Sequence, residues 1–382
     1  MIGLVRWIPA QMAVQALDAY ENHAALSWLD WSERLWNDAG EIALERVRAY
    51  RRLRQFDLVR THMLRAKAAG VSRDQLEREQ WITLAQAGQL EQIESKLPEL
   101  LNSSQVNPRD VCEAYATGFL LTHRPGPALD LIVPWLADYP GDAQAYYLRG
   151  QAHASARHYT EAEQAFREAW RLAPRRPDVA LGLAQALLQL KQPEAALPLF
   201  EAATVDAALS DQAWLGVAQS ARSAGQPEKA LSVLQTLVEH APTLAAAWDE
   251  LGRTQFDQHD VKASIESLEK ALTFSPNSLS SRQALARALM ANGEPARAKP
   301  HLEFVAQATE GFAKIGLLQD QSDAHPEDIA IRLQIAELYR KYDIPSLAIS
   351  WARSILVLKP GHAGAQKLLQ DLIPETKDTP QR

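Results

Sequence analysis

A small side chain returns every 34 residues: Ala128, Ala162, Ala196, Ala230, Ser264 and Ala298. Four residues after each stands a large apolar one, Ile132, Phe166, Phe200, Leu234, Leu268 and Leu302. A fixed period between about 20 and 50 residues marks an array of stacked units, a solenoid or a propeller, in which each unit buries its apolar face only against its neighbours. A second small register, Ala116, Gly150, Ala184, Ala218, Gly252 and Ala286, runs twelve residues ahead of the first. Each unit therefore has two points at which backbones approach closely, with the large residues as knobs.

Proline punctuates the same period. Pro125, Pro193, Pro227, Pro295 and Pro345 fall three residues before the second small residue, where a missing N–H costs nothing at the first turn of a helix. Pro140, Pro174, Pro242, Pro276 and Pro360 share a later phase, where a helix has to end. Between them, sets such as Leu181, Ala184, Leu187 and Leu188 give one apolar helical face, and no alternating strand pattern competes. The unit reads as helix, short turn, helix, short turn.

Trp248, Leu251 and Gly252 followed by Ala271 and Pro276, and Gly150, Tyr159, Ala162, Phe166, Ala169 and Pro174, resemble the tetratricopeptide repeat. The resemblance implies an all-α fold, a right-handed α-solenoid of about ten antiparallel helix pairs with a C-terminal capping helix. It covers somewhat more than half of the chain: one unit from 109, five from about 143 to 312, and one from about 329 to 362. Residues 1–107 keep only traces of the phase, at Ala25, Val59 and Ile93, and are expected to form three degenerate pairs carrying a basic cluster. Six tandem units then occupy 108–312. The spacing from Ala286 to Ala336 is 50 instead of 34, which places an insertion at 313–328, most simply a lengthened second helix and a loop around Pro326. A last unit and capping helix follow at 329–373, and 374–382 is expected to be a disordered polar tail.

In such repeats the first helices line a concave groove that takes an extended peptide or a partner's helix. The phase after the first small residue reads Thr117, Gln151, Gln185, Gln219, Arg253 and Arg287. Tyr147, Leu188, Arg222, Phe256 and Met290 stand at neighbouring groove phases. Amides donate and accept, guanidiniums pair with carboxylates, and the aromatic and thioether side chains add apolar contact, so the ladder suits a peptide with an acidic stretch. The same residues also fit a solvated helix face. The Lys and Asn clamp that some family members use for chaperone C-termini is absent: the corresponding phases carry Tyr147, Gln151, Leu181, Gln185, Leu215 and Gln219.

The formal net charge of -7 opposes binding to nucleic acid or anionic lipid by the molecule as a whole. Locally, Arg46, Arg48, Arg51, Arg52, Arg54, Arg60, Arg65 and Lys67 face only Asp57 within 22 residues, a patch for an anionic partner or a solvated face. Few aromatics interleave with it, which argues against base stacking. Trp28, Trp31 and Trp36 read either as an interface or as a capping core. The single cysteine, Cys112, excludes an intrachain disulfide.

The apolar start, Ile2 to Ile8, is too short to span a bilayer. A cytoplasmic, soluble protein is therefore expected; envelope association is the alternative, if those residues end an upstream anchoring helix. No HExxH, GxSxG, Walker or GxGxxG motif occurs. His153 and His158, near Glu161 and Glu163, fit a turn rim better than a metal site, so neither metal nor cofactor is expected. The expectation is a non-catalytic scaffold or assembly adaptor for a protein or peptide partner. The alternative is a structural subunit of a larger complex or envelope assembly, using its convex face and Trp-rich N-terminal end. Oligomeric state is not legible.

Overall fold

The computed structural model describes residues 2–35, 39–90, 92–325 and 327–373, with backbone alone at 2–7, 35 and 323. Trp36, Pro326 and the expected tail at 374–382 lie outside the described residues. Among the described residues every regular element is helical. They form two compact units, the first ending at Leu121 and the second beginning at Thr122.

The first unit contains α1 (Ile2–Asp18), α2 (Asn22–Leu35), α3 (Ala39–Arg52), α4 (Phe56–Ala68) and α5 (Arg73–Gln86). A single 3-10 turn at Glu94–Lys96, the short α6 (Leu97–Leu101) and α7 (Pro108–Leu121) follow. The first four helices pair in sequence, α1 with α2 and α3 with α4, and α5 packs against α7. Ala25, Val59 and Ile93 are all buried, but Ile93 sits on a turn and not in a helix. After α5 the chain turns through Gly88 at φ 78°, a left-handed conformation that glycine adopts without a Cβ penalty.

The second unit runs α8 (Pro125–Asp138), α9 (Ala143–Ser155), α10 (Tyr159–Leu172), α11 (Pro177–Gln189), α12 (Pro193–Ala203), α13 (Ser210–Ser223) and α14 (Pro227–His240). It continues with α15 (Ala245–Asp257), α16 (Val261–Phe274), α17 (Leu279–Ala291), α18 (Pro295–Ala324), α19 (Ile329–Lys341), α20 (Pro345–Leu358) and α21 (Ala363–Leu372). Each helix packs on the next, and alternate helices such as α13, α15 and α17 also touch. Prolines open α8, α12, α14, α18 and α20, at the phase read from sequence.

Every member of the 34-residue small register, Ala128 to Ala298, is fully buried. The aromatic knobs need more: a Cβ on Gly150 would lie 2.6 Å from the Phe166 ring, and one on Gly182 would lie 2.8 Å from it. Phe166 thus sits between glycines of successive first helices, α9 and α11. Phe200 meets Gly216 in the same way one repeat later. Between first and second helices a left-handed residue recurs in step: His123, Arg157, Lys191, Gly225, His259 and Gly293, with φ from 53° to 80°. Only two of the six are glycine, so the turn geometry is imposed by the packed helices on either side and not by the residue type.

The period breaks at α18, a helix of 30 residues. Its start packs with α16 and α17 through Ala298, whereas α19 packs farther along it, in a cluster that joins Ala308, Ile315 and Leu318 to residues of α19 and α20. Tyr342 lies over Gly311 there and stacks on Phe312, 5.0 Å between ring centroids. Leu302, expected as a buried knob, is 48% exposed. The reason is the longer helix: the next first helix docks farther along α18 and leaves Leu302 uncovered. Within this unit His123 also stacks on Trp351 of α20, at 4.9 Å, and burial beside Arg332 pulls the His123 pKa down to about 4.

Candidate functional site

Five residues of the expected groove converge on one cavity of about 360 Å³ in the second unit: Arg222, Arg253, Phe256, Arg287 and Met290. Arg222 comes from α13, Arg253 and Phe256 from α15, Arg287 and Met290 from α17. Leu268 forms the floor, and Leu302, freed by the long α18, forms part of the wall. First helices bring these residues together because consecutive small registers stack them at one height.

The three arginines are not equivalent. Arg222 Nε is 2.5 Å from Glu250 Oε1, and its Nη1 is 3.2 Å from Asp257 Oδ2. Burial opposes the Arg222 charge, but Glu250 and Asp257 outweigh it and hold the guanidinium more firmly protonated. Arg253 Nε donates to Asp249 Oδ2 at 2.8 Å, and its Nη2 donates to the Ser280 carbonyl at 2.8 Å. Arg287 is exposed, has no carboxylate partner among the described residues, and lies 4.5 Å over the Phe256 ring. Three carboxylates therefore balance much of the local positive charge, and among the described residues Arg287 is the one of the three arginines without a carboxylate partner. Asp249 keeps its Oδ1 buried with no donor among the described residues. Met290, 52% exposed, supplies a flexible apolar lip.

The rest of the ladder is placed differently. Tyr147 packs on Phe166, with ring centroids 5.8 Å apart, and lies 5.1 Å beneath the Arg176 guanidinium. Burial pushes its phenol pKa up, and its hydroxyl accepts from Gln151 Nε2 at 2.9 Å. Leu188 packs against the core. Gln185 and Gln219 are half-buried on α11 and α13. The sequence reading missed Glu250, Asp257 and Leu302. Only the i, i+4 spacing of Asp249 and Arg253 could have signalled a charge clamp.

The basic cluster of the first unit is largely turned inward. Arg46 pairs with Asp30 at 2.7 Å and Glu33 at 2.6 Å. Arg48 bridges Asp18 and Asp110, each at 2.8 Å, and Arg51 faces Glu79 at 3.4 Å. Arg52, its side chain 3% exposed, reaches Asp110 at 2.9 Å and Glu113 at 2.8 Å. Burial would raise the Asp110 pKa, but Arg48 and Arg52 hold it below the usual carboxylate range. Arg54 occupies the left-handed turn after α3, at φ 57°. Trp28 packs against buried residues of α1 and α2, while Trp31 is 59% exposed.

His153 and His158 have ring centroids 6.3 Å apart. Burial and Arg149 lower the His153 pKa. Among the described residues no group of three or more His, Cys, Asp or Glu side chains is placed to hold a metal, and no helix is long and apolar enough to cross a membrane.

Family models described as tetratricopeptide repeat match residues 153–220 in one case and residues 128–177 and 215–278 in another. No curated protein matches the chain significantly. Among solved structures the chain is similar to YrrB, described as a TPR protein with an unusual peptide-binding site, at 22% identity over 49% of this chain and 96% of that one, TM-score 0.44. It is similar to MamA from Desulfovibrio magneticus RS-1 at 23% identity over 43% of this chain and 93% of that one, TM-score 0.40. It is also similar to the APC/C hetero-tetramer Cut9-Hcn1 at 14% identity over 94% of this chain and 82% of that one, TM-score 0.42. Proteins built on these repeats bind protein or peptide partners and are generally non-catalytic interaction scaffolds. The repeat models fall on the same residues as the 34-residue register and the stacked helix pairs, and residues 128–278 match the tetratricopeptide repeat.

Proposed function

We propose that the second unit is a non-catalytic scaffold that holds a segment of a partner protein along α9 to α17, anchored at the cavity between α15 and α17. The observation that carries this reading is the cavity's division of labour. Phe256, Met290, Leu268 and Leu302 offer an apolar seat, and Arg287 alone offers a guanidinium not already paired. A segment with one large apolar side chain next to a carboxylate fits both. The amides of Gln185 and Gln219 continue the contact along the chain of the ligand.

The acidic character of the partner is narrower than the sequence alone suggests. Arg222 and Arg253 are already answered by Glu250, Asp257 and Asp249, so one carboxylate beside the anchor suffices, not an acidic tract. The test is selection of binding segments from a random peptide library against the full chain. An apolar residue adjacent to Asp or Glu is the expected consensus, with binding roughly tenfold or more weaker in Arg287→Glu and in Met290→Asp. Both sites are exposed, so both variants should fold. Selected peptides that bind wild type and both variants equally would remove the cavity from the function.

One observation favours a second reading. The exposure of Trp31 marks a separate surface in the first unit, of the kind a permanent neighbour in a larger complex would cover. Trp31→Ala disrupting such a complex while Arg287→Glu leaves it intact would favour the structural-subunit role.

A further inference from the structure

We propose that the cleft between α4 and α5 in the first unit is a docking site for an amphipathic helix of a partner protein, its apolar stripe bordered by carboxylates. This site is independent of the cavity in the second unit. The cleft measures about 1030 Å³ and is lined from both helices. On α4 the lining residues fall at Phe56, Val59, Arg60, Met63, Leu64 and Lys67, the spacing of one continuous helical stripe. On α5 the same spacing places Arg73, Leu76, Glu77, Gln80 and Leu84 on the opposite wall. Two helices that present facing stripes without filling the space between them leave room for a third, seated in their ridges and grooves.

Charge selects the occupant. Arg60, Lys67 and Arg73 stand along the cleft with no carboxylate partner among the described residues, against the single acid Glu77. This separates them from Arg46, Arg48, Arg51 and Arg52, whose charge is met inside the unit. Leu64, 63% exposed, gives an apolar contact at the lip. A helix as long as α5, 14 residues, spans the cleft.

The experiment uses the full chain and two labelled helical peptides of about that length with one leucine stripe, flanked by glutamate in one and by lysine in the other. Fluorescence anisotropy should show the glutamate peptide binding roughly tenfold or more tighter than its lysine twin, an advantage that fades with salt. Leu64→Glu should weaken it by roughly tenfold or more, and Arg60→Glu with Lys67→Glu should invert the preference. Met290→Asp, which can remove only binding at the cavity of the second unit, should leave the Leu64-dependent binding in place. Circular dichroism confirms that the variants fold, which the exposure of Leu64 favours. Failure of the glutamate peptide to bind, or equal binding of both, overturns the proposal. So does a self-associated wild type that Leu64→Glu makes monomeric, since the occupant is then a second copy. Binding to phosphatidylserine vesicles that Leu64→Glu abolishes makes the occupant a membrane, and a peptide that binds only after removal of residues 374–382 makes it the chain's own tail.

Discussion

In the second unit, helices approach one another through alanine and glycine, with Phe166 held between Gly150 and Gly182 and every Ala of the small register fully buried. In the first, α1, α3 and α7 are joined instead by guanidiniums and carboxylates: Arg48 to Asp18 and Asp110, Arg52 to Asp110 and Glu113. The Tyr20 hydroxyl donates to Glu113 at 3.3 Å, and Arg52 lies 4.1 Å over the Tyr20 ring. Small apolar contacts tolerate repetition, because each depends only on a neighbour one unit away. A buried charge network depends on several particular partners at once, and cannot be copied along an array without copying all of them. The contrast explains why one unit keeps the 34-residue phase and the other keeps only traces of it.

The sharpest way to break this comparison is to remove one charge. Arg52→Ala takes the guanidinium away from Glu113 and Asp110 in a buried site, and should destabilise the first unit by about 3–5 kcal/mol. Urea unfolding followed by hydrogen exchange of the α1, α3 and α7 amides should localise the loss. A change under about 1 kcal/mol would mean that the network behaves as a solvated surface.

A smaller effect tests the other unit. Gly150→Ala forces a methyl into the Phe166 ring and should cost about 1–3 kcal/mol. Combining it with Phe166→Leu should cost less than the sum of the two single changes, because they share one contact. Strict additivity would show that Gly150 is not there for the ring.

The smallest effect separates the units by pH. Burial raises the Glu45 pKa to about 7; Arg48 opposes the shift, and Asp110, Glu79 and Asp18 add to it. A carboxyl raised in the folded state loses stability as pH climbs from its ordinary value of about 4.5 to about 7, with the loss complete above that. Asp110, held low, works in the opposite sense: its contribution is present above the ordinary carboxylate pKa and is lost as pH falls. Glu45→Gln should therefore flatten the decline between pH 4.5 and 7 and leave the acid loss in place, as read by urea midpoints across that range. The Glu45 side chain is 33% exposed, so the slope should be gentle. An unchanged profile would assign the pH dependence elsewhere.

How much of the site could be read beforehand follows from the same contrast. That Arg222, Arg253, Phe256, Arg287 and Met290 lie near one another was legible because the repeat phase fixes which face of each first helix a residue occupies. That two of the three arginines are already paired was not legible, since Glu250 and Asp257 reach Arg222 across a helix boundary that no phase encodes. Leu302 was misplaced as core because its phase is regular, while its exposure depends on where α19 docks along the longer α18.

The sequence by itself determined the helical unit, its 34-residue repetition, the proline-marked helix starts and which residues of successive first helices share a face. These are local matters of side-chain size and backbone dihedral, and repetition amplifies them until they stand above chance. Only the tertiary structure decided which charges are answered within the molecule and which are not. Arg52 and Arg60 lie eight residues apart in one basic run, yet the first is buried against Glu113 and the second lines a cleft with no carboxylate partner among the described residues. Coulomb energy and desolvation depend on distance and burial in space, and composition along a chain carries neither.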